Sequence, residues 1–130
     1  LVRAAARIHG HVTGNVCTFA QRGALAALGA AEEPERLAAF EARRDLLHGL
    51  VSPLLPGPKP AGGLFLWLDA RGRLGGRFPD TAALAAHLLQ AGRVAVLPGS
   101  ACGAEGWLRL SFSGTEAALR EGAARLRGAL

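Results

Sequence analysis

Four prolines fall within eight residues, at Pro53, Pro56, Pro58 and Pro60. Proline fixes φ and has no N–H, so a helix cannot run through such a stretch and a central strand cannot contain it. Regular structure upstream must stop there, and regular structure downstream must begin afresh after a stiff connection.

The upstream half reads as helical. Leu37, Phe40, Leu47, Leu50 and Val51 recur with a helical period, and charged residues take the other face. Glu32, Glu33 and Pro34 suit a helix start, because acids complement the positive end of the helix and proline fits its first turn. The pattern predicts a helix over about 35–51. Residues 1–7 mix Arg with Ala and read as the end of an earlier helix. Residues 8–16, with Gly10, Thr13, Gly14 and Asn15, read as a turn-prone stretch. Thr18-Phe19-Ala20-Gln21 has the form of a capping box, which would open a helix to about Leu28 with Gly29 as a left-handed stop. The interior of that helix is mostly Ala and Gly, so it must pack closely against something.

Downstream, Gly62 to Asp69 is a nearly unbroken apolar run, which predicts a strand buried on both faces or at least central in its sheet. A Gly- and Arg-rich loop follows over 70–77. Asp80 or Thr81 caps a helix carrying Leu84, Leu88 and Leu89, closed by Gly92. Residues 94–97 form a short strand that Pro98-Gly99-Ser100 breaks, and 107–113 form another. Thr115 caps a last helix with Leu119, Leu126 and Leu130 on one face. Helices with a small sheet and mixed connections define an α+β fold class.

Composition narrows the function. Half of the 130 residues are hydrophobic, enough for one packed core. The net charge of +5 comes from scattered arginines without interleaved aromatics, so no nucleic acid is expected as a partner. No apolar run reaches membrane-span length and no signal peptide is evident, so no membrane partner is expected. Cys17 and Cys102 lie far apart in no ligand spacing, which suits a reducing cytoplasm. His9 and His11 form an H-x-H pair without a second ligand cluster and read as polar loop residues, so no metal is expected. His48 and His87 fall inside helical patterns. The sequence contains no Met and begins with Leu1, so it is expected to be a piece whose beginning is missing.

Arg109 is the one cation in the apolar strand Trp107-Leu108-Arg109-Leu110. Strand alternation points it opposite to its Leu neighbours. That pattern fits either a solvent-facing edge arginine or an arginine that grips a carboxylate through two parallel hydrogen bonds. The single lysine, Lys59, sits between Pro58 and Pro60 with no strand beneath it, a poor place for a Schiff-base amine.

Six segments, taken in order, resemble the fold-type-I aminotransferases of class I/II, the aspartate aminotransferase-like group. They are His11-Val12-Thr13-Gly14-Asn15 with Thr18-x-x-Gln21, Phe40-x-x-Arg43-Arg44-Asp45, and Pro60-x-Gly62-Gly63-Leu64-Phe65-x-Trp67. Val94 to Gly103, Trp107-Leu108-Arg109-Leu110-Ser111 and Glu121 to Leu130 complete the set. Cys102 and Leu64 depart from the pattern, where Phe and an aromatic are usual. The resemblance covers nearly the whole chain and about the last third of such an enzyme.

The resemblance implies residues 1–32 as a remnant of the α/β large cofactor-binding domain, 33–54 as an interdomain helix and 55–130 as the small C-terminal domain. It implies pyridoxal 5'-phosphate as cofactor, L-amino-acid and 2-oxo-acid substrates, and a homodimer when full length. The cofactor lysine and other cofactor ligands would lie upstream, leaving no catalytic or cofactor-binding residue here and an inactive fragment. Arg109 becomes the expected ligand of the substrate α-carboxylate. Asn15, beside Thr13, fits either plain turn chemistry or a loop approaching the partner subunit's site. The Pro98-Gly99-Ser100 loop fits a strand exit or a substrate contact. Two other functions share these features: the aminotransferase-like effector domain of a transcription regulator, and another fold-type-I enzyme such as a β-lyase.

Overall fold

A computed structural model describes residues 2–30 and 33–130. Leu1 and Glu32, which belong to the expected first helix and to the acidic start of the long helix, lie outside the described residues. The chain divides into two compact units, Leu1–Glu33 and Pro34–Leu130.

The first unit holds α1 (Val2–Val12) and α2 (Thr18–Leu28). Residues 2–30 are exposed throughout. Helix α1 runs five residues beyond the expected end at Arg7, through the stretch expected to turn. Ala5, Ile8 and Val12 continue a helical stripe, and a lone Gly10 costs only about 1 kcal/mol against Ala. Thr13 closes the helix, its amide and hydroxyl both donating to the His9 carbonyl at 2.9 and 2.8 Å. The capping box does not form. Cys17, not Thr18, is the N-cap, without a side-chain bond, and Gln21 Nε2 donates to the Val16 carbonyl at 3.0 Å. Gly29 keeps right-handed dihedrals (φ −91°), so it is not a left-handed stop.

The second unit begins with α3 (Pro34–Val51), which starts at the expected proline. Its C-terminal half enters the core through Leu47 and Val51, with Phe40, Leu46 and Leu50 packed beside them. The proline connection then runs alongside β1 (Phe65–Asp69), where Asp69 N–H donates to the Pro56 carbonyl at 2.6 Å and Leu55 is buried. Gly57 is needed for that approach, since a Cβ there would lie 2.3 Å from the Trp67 carbonyl oxygen. Helix α4 (Thr81–Gly92), β2 (Leu97–Pro98), β3 (Trp107–Ser111) and α5 (Glu116–Ala129) follow, with short 3₁₀ turns at Arg71–Arg73 and Gly99–Cys102.

The caps at α4 and α5 form as the sequence pattern predicts: Asp80 accepts from Ala83 N–H at 2.8 Å and Thr115 accepts from Ala118 N–H at 3.3 Å. The left-handed residue ending α4 is Arg93 (φ 55°) rather than Gly92. Gly92 instead lets α4 approach α5, because a Cβ there would meet the Ala129 methyl at 3.1 Å.

The sheet is antiparallel with order β1-β3-β2, so β1 is an edge strand and not a central one. Its burial alternates: Leu66 and Leu68 face the core while Phe65 and Trp67 face away. Aromatics on the outer face make the run look doubly buried. Strand β3 is the centre of the sheet, with Leu108 and Leu110 inward. Leu84 and Leu88 of α4 and Leu119, Ala123 and Leu126 of α5 join these leucines in one core. The whole second unit is a small α+β layer structure.

Gly57→Ala is expected to destabilise the protein by about 1–3 kcal/mol, the usual cost of overpacking. Gly49→Ala, in α3 with open space around it, is expected to stabilise by about 0.5–1 kcal/mol. Urea unfolding of both variants checks this, and equal effects at the two sites would contradict the packing described.

Candidate substrate carboxylate site

The outer face of the sheet is built by parity. On β3 the residues opposite to Leu108 and Leu110 are Trp107, Arg109 and Ser111, and on β1 those opposite to Leu66 and Leu68 are Phe65, Trp67 and Asp69. The register pairs Phe65 with Ser111, Trp67 with Arg109 and Asp69 with Trp107, and Leu97 of β2 flanks Arg109 on the other side. Arg109 therefore sits in mid-sheet, half-buried, among Trp67, Leu97 and Phe65. Strand β3 is central, so Arg109 is not on an edge strand, and its side chain lies on the face away from the core.

Two observations define its state. Its guanidinium carbon lies 4.2 Å from the centroid of the Phe65 ring. No described residue forms an ion pair with it. The acid sharing this face, Asp69, is engaged elsewhere: it takes Arg71 Nε at 3.0 Å, Arg71 Nη2 at 2.6 Å and the Arg71 N–H at 2.9 Å. The Arg71 side-chain hydrogen bond, with its backbone N–H next, holds the Asp69 carboxyl below the usual carboxylate range. Arg71 also lies over the Trp107 ring at 5.6 Å, and Trp107 stacks on Trp67 with centroids 6.1 Å apart and planes 8° from parallel. One arginine on this face is thus neutralised, and the other presents an uncompensated positive charge on an aromatic bed. A guanidinium in that state suits a planar anion, and a carboxylate fits its fork with two parallel bonds.

The remaining candidates fall elsewhere. Asn15 is exposed on the link between α1 and α2, in the first unit. Lys59 lies in the proline connection with its amine 3.5 Å from Asp45 Oδ2, and Asp45 also takes Arg44 Nε at 2.7 Å. His9 and His11 are in the last turn of α1, two apart on a helix, where side chains do not face each other. Among the described residues no group of three metal-ligating side chains forms. Ser100, in the loop left open as strand exit or contact, is near Thr81, whose hydroxyl is 3.4 Å away, and Glu105 ties this region to the start of α4 by accepting from Thr81 N–H at 2.7 Å. A groove of about 520 Å³ between α3 and α5 contains Arg43 and Arg120. Arg43 lies over the Phe40 ring at 5.3 Å and Arg120 is bound to Glu116 at 2.7 Å.

Sequence pattern alone does not single out Phe65, the Trp67–Trp107 stack or the Asp69–Arg71 pair. Equal parity along the two strands is the available signal, but which residue stands opposite which depends on register.

The chain matches the family described as aminotransferase class I and II over residues 1–126, and it belongs to that family. It is 39% identical over 96% of its length to a probable aspartate/prephenate aminotransferase of Aquifex aeolicus. It is 34% identical over 98% of its length to an aspartate aminotransferase of Streptomyces avermitilis. The chain spans 33% of the length of each, about a third. Among solved structures, aspartate aminotransferase from Rhizobium meliloti superposes with a TM-score of 0.81 at 28% identity, covering 98% of this chain and 34% of that one. Thermus thermophilus aspartate aminotransferase with maleate gives 0.63 at 35% identity, covering 72% of this chain and 23% of that one.

A depressed carboxyl stabilises the fold above its unfolded value near pH 4, and that contribution is lost as pH falls through the lower folded value. Wild type is therefore expected to exceed Asp69→Asn in stability at pH 7, with the gap closing as pH is lowered from 5 towards 2. A gap unchanged by pH, followed by denaturant unfolding, would show that the charge of Asp69 is irrelevant.

Proposed function

We propose that this chain is the C-terminal portion of a pyridoxal-phosphate-dependent aminotransferase that moves an amino group from an L-amino acid to a 2-oxo acid. Arg109 is its ligand for the substrate α-carboxylate. The observation that carries the reading is a guanidinium in mid-sheet with no acidic partner among the described residues, on a face where the neighbouring acid is already taken. Membership of the aminotransferase family supports the reaction class.

In this reading no residue of the chain supplies the cofactor lysine. The single lysine is exposed in a proline connection and paired with Asp45. In this reading pyridoxal phosphate, which supplies the electron sink for chemistry at the substrate α-carbon, is held by the other two-thirds of the enzyme. Residues 1–32 go with that cofactor-binding domain, 33–54 form the interdomain helix and 55–130 the small domain. The division of the chain into compact units Leu1–Glu33 and Pro34–Leu130 supports the first assignment. The unpaired Cys17 and Cys102 suit a cytoplasmic enzyme. The complete protein is taken as a homodimer, as the resemblance implies, with Asn15 beside the partner's site.

Arg109 contributes orientation. A bidentate contact fixes the carboxylate plane and thereby which α-substituent points toward the reacting centre. Loss of a charged contact whose partner stays buried costs about 2–5 kcal/mol. Arg109→Ala in the complete enzyme is therefore expected to lower kcat/KM for amino acids roughly 10²- to 10³-fold. Arg109→Lys recovers part, because it keeps the charge and loses the fork. A decarboxylated amine should be nearly indifferent to both changes. Near-normal kcat/KM for amino acids in Arg109→Ala would remove the residue from the site. The 130-residue chain alone is expected to form no stable lysine adduct with pyridoxal phosphate. A stoichiometric borohydride-trapped adduct mapped to Lys59 would contradict this.

A further inference from the structure

We propose that Phe65 is a positioning residue for Arg109: its ring holds the guanidinium plane from one side, so that the N–H fork is turned toward a substrate carboxylate. The proposal rests on the reading of Arg109 given above and adds a residue to it.

Strand pairing sets Phe65 opposite Ser111 and Arg109 opposite Trp67, which makes Phe65 and Arg109 diagonal neighbours on one face of the sheet. Long and aromatic side chains can reach each other across such a diagonal. The approach is close. Arg109 lies 4.2 Å from the Phe65 centroid, whereas the other described guanidinium–ring approaches, Arg43–Phe40, Arg77–Phe78 and Arg71–Trp107, are 5.3, 5.2 and 5.6 Å. The other three arginines lie farther from their rings, and the Arg71 guanidinium is bound to a carboxylate as well.

The kind of contact matters. A ring attracts a cation through its negative face, and a stacked guanidinium keeps its in-plane donors. A carboxylate neighbour would instead occupy the fork and cancel the charge, as Asp69 does to Arg71. An aromatic neighbour restricts the rotamers of a long side chain while leaving both charge and donors for substrate. Phe65 is 43% exposed and stands outside the buried core cluster, so its alteration opens no cavity there.

The test uses the complete enzyme with Phe65→Leu, Phe65→Tyr and ring-fluorinated phenylalanines at position 65, which keep the shape and progressively weaken the negative face. Each is assayed with an L-amino acid and with the matching decarboxylated amine, alone and in the Arg109→Ala background. Phe65→Leu is expected to lower kcat/KM for the amino acid about 3- to 30-fold, the range of a cation–π contact from exposed to desolvated. The loss should fall mainly on KM. Tyr should restore most of it, fluorination should lower kcat/KM in step with ring charge, and the amine should be unaffected. In the Arg109→Ala background Phe65→Leu should cost nothing further. An equal loss for the amine, an equal loss without Arg109, or a flat fluorination series would overturn the role of Phe65 while leaving that of Arg109 intact. Should Phe65→Leu fail to fold, the fluorinated series decides alone. If Arg109→Ala itself leaves amino-acid turnover unchanged, the carboxylate reading fails first and this proposal with it.

Discussion

The inward burial of Leu108 and Leu110 on the central strand is the constraint from which the rest follows. Both lie against the core formed with Leu66, Leu68, Leu84 and Leu88, and full burial of each such side chain stabilises by about 1.5–3 kcal/mol. A strand has a side-chain period of two, so a slip of one residue would turn both leucines to the outside and Arg109 into the core. An unpaired guanidinium cannot be buried without a large desolvation cost. The apolar inner face and the cation on the outer face therefore select the same register, and that register determines which residues surround Arg109. The close approach of Gly57 to the Trp67 carbonyl holds the edge strand β1 in line, and β1 carries Phe65.

The outer face separates its charges rather than pairing them all. Asp69 and Arg71 are two residues apart at the end of β1 and satisfy each other locally, with a backbone N–H added to the pair. Arg109 could reach such an acid only across strands, and the register gives it Trp67 and Leu97 instead. Aromatics around a cation lower the local dielectric without neutralising it, which strengthens its attraction for an incoming anion. The two stacked tryptophans extend this apolar surface along the same face. In the function proposed above, a substrate carboxylate completes the arrangement.

Much of the second unit is legible in the amino-acid sequence. Helix α3 announces itself by period, by Pro34 and by the prolines beyond it. Asp80 and Thr115 act as caps because each has a side-chain oxygen placed three residues before a free N–H. Arg109 is legible as an outward-pointing residue because Leu108 and Leu110 are apolar on both sides. What is not legible has a common cause in competition between local signals or in pairing at a distance. Thr18 offers a capping box, yet the chain enters α2 one residue earlier and Gln21 bonds Val16 instead. Gly10 and Thr13 suggest a turn, yet the stripe through Ile8 and Val12 carries α1 on. Phe65 and Trp67 make an edge strand look central, because hydropathy does not distinguish an aromatic outer face from a second core. The contact between Phe65 and Arg109 joins residues 44 positions apart, and only the strand register reveals it.

Arg109 is proposed to receive the substrate carboxylate. The most direct test is a crystal structure of the complete protein with a non-reactive amino-acid analogue bound. The α-carboxylate of the analogue is expected on Arg109 in a fork, with two N–H···O distances of about 2.7–2.9 Å, and the guanidinium still resting on Phe65. A carboxylate held by other residues, with Arg109 unmoved and facing solvent, would contradict it.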